Sequence, residues 1–215
     1  MSQDFSVLLG KVKEVSENVS GAVFIGGVAV YLHAIQKIER LAETSHDADL
    51  YVGLSDLTDL RDMEELVPNR RLNKQQFIKG GFEFDVYVER NNALAIPYDE
   101  ILVESESVDD IRIAALGHLL VLKLDAALDR KGSAKGDKDI RDVIRILLMF
   151  NKKDVDVAKR FLREEHEEML TGIPRSAAFT ALAEGNAVNA KQYRTVVAGQ
   201  IRELMPEARV RARPR

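Results

Sequence analysis

The chain has 215 residues, 46% of them hydrophobic and 31% charged, with a formal net charge of −4 at pH 7. That balance suits one substantial core or two small lobes, and it gives no global pull toward nucleic acid or membrane, although it leaves room for a local basic surface. Cysteine is absent, which excludes disulfides and thiolate metal sites; with no apolar run near the roughly 20 residues of a bilayer span and no basic-then-apolar leader, a cytoplasmic protein without a membrane partner is expected.

Residues 5–18 predict a short amphipathic helix, with Val7, Leu8, Lys11, Val12 and Val15 along a partly apolar stripe. Residues 22–25 form a compact apolar run that stops at Gly26-Gly27, as a strand does before a turn. The next stretch, 28–41, carries Val28, Leu32, Ile35 and Ile38 at helical spacing. The order is therefore strand, Gly-Gly, helix. Asp47-Ala48-Asp49-Leu50-Tyr51-Val52 alternates polar with apolar, so both aspartates point to one face of a strand. Residues 55–66 are acidic and read as helix. Segments 75–79 and 82–89 bracket Gly80-Gly81 and predict a hairpin. Its second arm puts Glu83, Asp85, Tyr87 and Glu89 on one face and Phe82, Phe84, Val86 and Val88 on the other. Residues 100–104 and 108–113 are expected to add short strands near Pro97. From residue 114 the pattern turns helical: 114–130, 137–150, and helices around 154–170, 175–184 and 190–204. The boundaries expected are an α/β lobe over 1–113, a helical lobe over 114–207, and a basic, disordered tail over 208–215 with Arg209, Arg211, Arg213 and Arg215.

Asp47 and Asp49 converge on one strand face, and Asp85 has the same parity on a later strand. If the two strands are neighbours, three carboxylates meet. Like charges that close repel, and divalent metal is the usual resolution; oxygen ligands of this kind suit Mg²⁺ or Mn²⁺. A pair of such ions can activate an attacking oxygen and steady a leaving pyrophosphate. Gly26 and Gly27, opening a helix after a strand, let backbone N–H groups approach phosphate oxygens. Alone, an Asp-x-Asp is a solvated strand face and a Gly-Gly is a turn. Their combination in this order carries the signal.

The set resembles the nucleotidyltransferase superfamily, in the branch of AbiEii-type and related toxin proteins. The matching pieces are FIGGVAVYLH (24–33), SHDADLYV (45–52), FDVYV (84–88), KLDAALDR (123–130) and KDIRDV (138–143). The resemblance implies an α/β (α+β) fold, with a polymerase-beta-like mixed-sheet lobe followed by a helical lobe. It implies that Asp47 and Asp49 hold the metals and that Asp85 is the third ligand or the base toward the acceptor hydroxyl. Ser45 matches a phosphate-touching Ser/Thr, and Lys123 a triphosphate-binding lysine. Arg130 lies two turns along the same helix, and Asp139 matches a further carboxylate of the toxin branch. Glu43 departs from the pattern, since many relatives carry arginine there; Arg40 or Lys37 is the candidate substitute. The implied activity is NMP transfer from an NTP to an acceptor hydroxyl, with a tRNA 3′ end as acceptor and an antitoxin as partner. Two alternatives stand beside it: modification of a protein hydroxyl, and an inactive binding or regulatory module.

Other signals carry less. His166-Glu167 starts like a zinc-protease helix, but Leu170 stands where the second histidine belongs, so HEEML reads as a solvated face. Asp56, Asp59, Asp62, Glu64 and Glu65 lack the EF-hand order. His46 reads as a surface histidine, and His33 and His118 as core or boundary residues. Lys123, among Leu119, Leu120, Leu122 and Leu124, is expected to be buried and to need an anionic partner, either a phosphate or a carboxylate.

Overall fold

The alternating segments of the first half assemble into a seven-stranded mixed sheet. The computed structural model describes residues 3–205, so the basic tail lies outside the described residues. Its strands are β1 (Val23–Ile25), β2 (Asp47–Val52), β3 (Val67–Asn69), β4 (Lys74–Lys79), β5 (Phe82–Val88), β6 (Glu106–Val108) and β7 (Ile111–Ile113). They are ordered β3-β4-β5-β2-β1-β7-β6. The Gly80-Gly81 hairpin forms as the sequence predicts. Both glycines sit at positive φ, the requirement of a two-residue turn between twisted strands.

One face of the sheet is apolar. Parallel pairing of β2 with β5 sets Ala48, Leu50 and Val52 against Phe84, Val86 and Val88, and all six are buried. Burial of side chains of this size contributes roughly 1.5–3 kcal/mol each for the larger ones. Helices α1 (Gln3–Asn18), α2 (Gly26–Lys37), α3 (Leu54–Met63) and α4 (Tyr98–Val103) complete this unit. On α1 the buried stripe is Phe5, Leu8, Val12 and Val15, whereas Val7 is exposed. The 3-4-3 spacing fits a single helical face, and Phe5 meets Tyr31 of α2 edge-on at 4.5 Å. α2 stops at Lys37, earlier than the sequence pattern suggests, and a 3-10 turn at Glu39–Leu41 follows.

Residues 100–104 are not a strand. Pro97 sits just before the first turn of α4, and Asp99 and Glu100 lie in that turn. Acids there complement the helix dipole, and Tyr98 and Ile101, three apart, bury one face. These signals outweigh the β-branched look of the segment.

A second compact unit begins at Leu116, the first one ending at Ala115. It contains α5 (Leu116–Asp129), α6 (Ala134–Met149), α7 (Lys152–Lys159), α8 (Glu164–Gly172), α9 (Ala178–Leu182) and α10 (Ala187–Leu204). α5 packs on α6 and α7. Gly117 permits the close approach to α7, since a Cβ there would lie 2.6 Å from the Asp154 carbonyl oxygen. The helix expected over 154–170 is two helices. The Arg163 N–H donates to His166 Nδ1 at 3.2 Å, starting α8 afresh. His166 is fully buried, which corrects the reading of HEEML as a solvated face. Its Nε2 faces Asp125 Oδ1 at 2.8 Å; with Nδ1 accepting, Nε2 is the protonated nitrogen. No helix among the described residues is long and apolar enough to cross a membrane.

Candidate active site

β2 and β5 are hydrogen-bonded neighbours, and Asp49 stands in register with Asp85. Asp47 shares their face because side chains alternate along a strand. The sheet therefore lines up on one face the three carboxylates that the sequence singles out. The partner of Asp49 on the other side is Ile25, the last residue of β1. The chain turns there through Gly26, at φ +74, directly into α2. Asp49 Oδ2 lies over this turn, 2.1 Å from where a Cβ on Gly26 would be. The Gly-Gly turn and the carboxylates are thus one constellation.

Each carboxylate has its own surroundings. Asp47 is half-buried, and its Oδ1 accepts a hydrogen bond from the Ser45 hydroxyl at 2.8 Å. Ser45 is itself buried, so its hydroxyl orients Asp47 and is turned away from solvent. Asp85 is buried and forms an ion pair with Lys74 of β4, whose side chain is only 8% exposed. Gln76 donates to the other oxygen of Asp85 at 2.8 Å, and Asn69 of β3 donates to Gln76 at 3.1 Å. Lys74 and Gln76 are absent from the sequence reading. Their shared parity on the first hairpin arm is visible in the sequence, but the register that sets Gln76 opposite Asp85 is not.

Hard oxygen donors on one sheet face suit a divalent cation. In this structure, however, Asp47 accepts from Ser45, and Asp85 is engaged by Lys74 and Gln76. Among the described residues no three acidic or histidine side chains are gathered as a metal-ligand group. The donor chemistry fits a cation once Lys74 withdraws from Asp85.

The start of β1 is braced from two sides. Asp56 Oδ1 accepts the Gly21 N–H at 3.0 Å, and the Tyr98 hydroxyl donates to the Gly21 carbonyl at 2.7 Å. Asp56 thus has a structural task. Burial first, and the nearby Asp56 charge second, push the Tyr98 phenol up to about 12. Of the histidines, His46 is exposed, while His33 is buried with Nε2 2.9 Å from the Ala114 carbonyl oxygen.

The second unit holds Lys123, Arg130 and Asp139 together. Lys123 Nζ lies 3.2 Å from Asp139 Oδ1 and 2.8 Å from Asp142 Oδ2. Arg130 reaches Asp139 Oδ2 at 3.1 Å, and Arg145 reaches Asp142 Oδ1 at 3.0 Å. The anionic partners of the buried lysine are therefore carboxylates of α6. Asp142 and Arg145 were missed by the sequence reading, although they share a helix face with Asp139 at three-residue spacing.

No protein-family model matches the chain, and no curated protein matches it. Solved structures do. A nucleotidyltransferase-like protein from Paracoccidioides brasiliensis matches with a TM-score of 0.52 and 15% identity, over 88% of this chain and 93% of that one. The Helicobacter pylori protein JHP933 matches at 0.50 and 11% identity, over 98% and 97%. A second Helicobacter pylori structure, provisionally assigned as a nucleotidyltransferase, matches at 0.50 and 11%, over all of both chains. The fold of this chain is the nucleotidyltransferase fold.

Proposed function

We propose that the protein is a metal-dependent nucleotidyltransferase that moves an NMP from an NTP to an acceptor hydroxyl. The observation that carries this reading is the register of Asp49 with Asp85 beside a Gly26 turn that Asp49 itself covers. In this reading the acceptor oxygen attacks the α-phosphorus, the α–β anhydride bond breaks, and pyrophosphate leaves. Asp47 and Asp49 would hold Mg²⁺ or Mn²⁺, which supplies activation of the attacking oxygen and charge neutralisation on the leaving group. Gly26 and Gly27 offer backbone N–H groups to phosphate at the start of α2. Asp85, once released by Lys74, takes the proton of the acceptor hydroxyl. Ser45 acts through Asp47. By the resemblance, Lys123 and Arg130, paired here with Asp139, carry a phosphate-binding role in the second unit. The resemblance to AbiEii-type proteins supports a tRNA 3′ end as acceptor and a toxin whose partner is an antitoxin.

The test is incubation of the chain with each labelled NTP, Mg²⁺ or Mn²⁺, and total tRNA. Label transfer to RNA is expected, with Asp47→Ala reducing it by at least about 10²-fold, as loss of a metal-holding carboxylate should. Label on a protein would move the reading to a protein-modifying enzyme. NTP binding by calorimetry without transfer to any acceptor would make the chain a binding module, a reading that Glu43 and the Lys74–Asp85 ion pair favour.

A further inference from the structure

Beside the carboxylates the molecule has a second polar feature, at the β3–β4 turn. A cleft of about 430 Å³ is lined by Pro68, Asn69, Arg70, Asn73, Lys74, Gln75 and Asn91. We propose that this cleft binds a nucleotide of a single-stranded RNA acceptor. The proposal rests on the nucleotidyl-transfer reading above and places its acceptor subsite at this cleft.

Three observations carry it. The first is charge. The lining has two cations and no carboxylate, in a chain whose net charge is −4. Lys74 is already paired with Asp85, so a phosphodiester would first meet the exposed Arg70, whose guanidinium binds it in a bidentate fork. The second is the set of amides. Asn69 is used up in the turn: its Nδ2 donates to Gln76 and its Oδ1 accepts the Leu72 N–H. The Gln75 side chain alternates to the face opposite Lys74, whereas Asn73 and Asn91 remain on the wall, each with a donor and an acceptor. Single-stranded bases are read through such edges. The volume also falls within the range that holds one small ligand.

The third is position. Lys74 belongs both to the cleft wall and to the ion pair with Asp85. The strand order β4-β5-β2-β1 puts this cleft on one side of the carboxylates and the Gly26 turn on the other. A donor nucleotide at the glycine turn and an acceptor nucleotide at the cleft would flank the three aspartates. An acceptor phosphate would also draw the Lys74 ammonium off Asp85, freeing the carboxylate when an acceptor is present. A protein hydroxyl brings no phosphate to do this.

The test uses the full chain and a short fluorescently labelled single-stranded RNA with a free 3′ hydroxyl. Anisotropy is read across a salt series, for the wild type, Arg70→Ala and the control Arg175→Ala in the second unit. Arg70 is exposed, so its removal leaves the fold intact, which circular dichroism checks. Arg70→Ala is expected to weaken RNA binding roughly five- to ten-fold and to lower the salt slope by about 1. Arg175→Ala should change neither, and NTP affinity by calorimetry should be equal in all three. An RNA affinity and salt slope unaltered in Arg70→Ala would overturn the proposal. So would no RNA binding by the wild type, a parallel loss of NTP affinity, or Arg70-dependent labelling of a protein. Transfer that persists alongside an Arg70-independent RNA affinity removes the cleft and leaves the enzyme. Arg70-dependent RNA binding without any transfer removes the enzyme and leaves the cleft.

Discussion

Asp49 Oδ2 lies where the Cβ of any larger residue at position 26 would have to go, 2.1 Å away, and the backbone there has φ +74. Both facts weigh against a side chain. A non-glycine residue in the left-handed region costs about 1–3 kcal/mol, and the clash displaces the carboxylate itself. Gly26→Ala is therefore expected to lower stability by about 2–3 kcal/mol in a urea titration and to abolish transfer. Gly10 on α1 meets nothing within 4 Å, so Gly10→Ala should instead stabilise by about 0.5–1 kcal/mol. At this scale the sequence was readable where local parity decides. Alternation puts Asp47 and Asp49 on one face and gives Asp85 the same parity, and the pairing of β2 with β5 supplies the neighbourhood that parity leaves open. Lys74 was not readable, because its reach to Asp85 runs diagonally between strands and depends on how the hairpin aligns them. The same holds for Ser45, whose hydroxyl turns to Asp47 and not outward.

Between elements, α5 and α6 of the second unit are joined by an ionic network. Lys123 on α5 joins two carboxylates of α6, Asp139 and Asp142, and each carboxylate is also held by an arginine. The side chains of Lys123, Asp139 and Asp142 are nearly buried, while Arg130 is half-exposed. Removing the lysine leaves two buried anions sharing less positive charge, a change that costs far more than loss of a surface pair. Lys123→Met is expected to destabilise by about 3 kcal/mol, read as a lower urea midpoint at unchanged slope. The double variant with Asp142→Asn should recover part of that loss. A lysine present only to grip a ligand would show neither effect in the absence of nucleotide. The elements themselves were largely legible, since long amphipathic helices and the Gly-Gly hairpin announce themselves by period and turn chemistry. The failures came where a short segment has two readings. Residues 100–104 look extended by composition, yet Pro97 and the acids after it start a helix. The break before α8 depends on a buried histidine accepting a backbone N–H, which no periodicity records.

For the molecule as a whole, several groups of the first unit tie stability to pH. Among the described residues of the first unit, Glu14, Tyr31, Tyr51, Lys79 and Tyr98 are shifted from their ordinary values. Tyr98 is raised by burial from 10 to about 12. The folded state therefore keeps a proton that the unfolded chain releases, so this contribution is full below pH 10 and is lost as pH rises toward 12. Burial lowers Lys79, but hydrogen bonds from its ammonium to Glu14 and Glu64 outweigh that and raise it above 10.5, so it acts in the same direction. Glu14 is lowered by its hydrogen bonds with Lys79 and Lys11; its contribution is present above 4.5 and fades as pH falls below that. Thermal unfolding followed by circular dichroism should thus show a plateau at neutral pH and a steeper loss above pH 10 in the transition of the first unit. Tyr98→Phe lowers the plateau by about 1 kcal/mol, because the Gly21 carbonyl loses its donor. The same substitution flattens the alkaline limb, because no phenol remains to lose its proton between pH 10 and 12. An alkaline limb equally steep in the wild type and in Tyr98→Phe would show that this phenol does not set it.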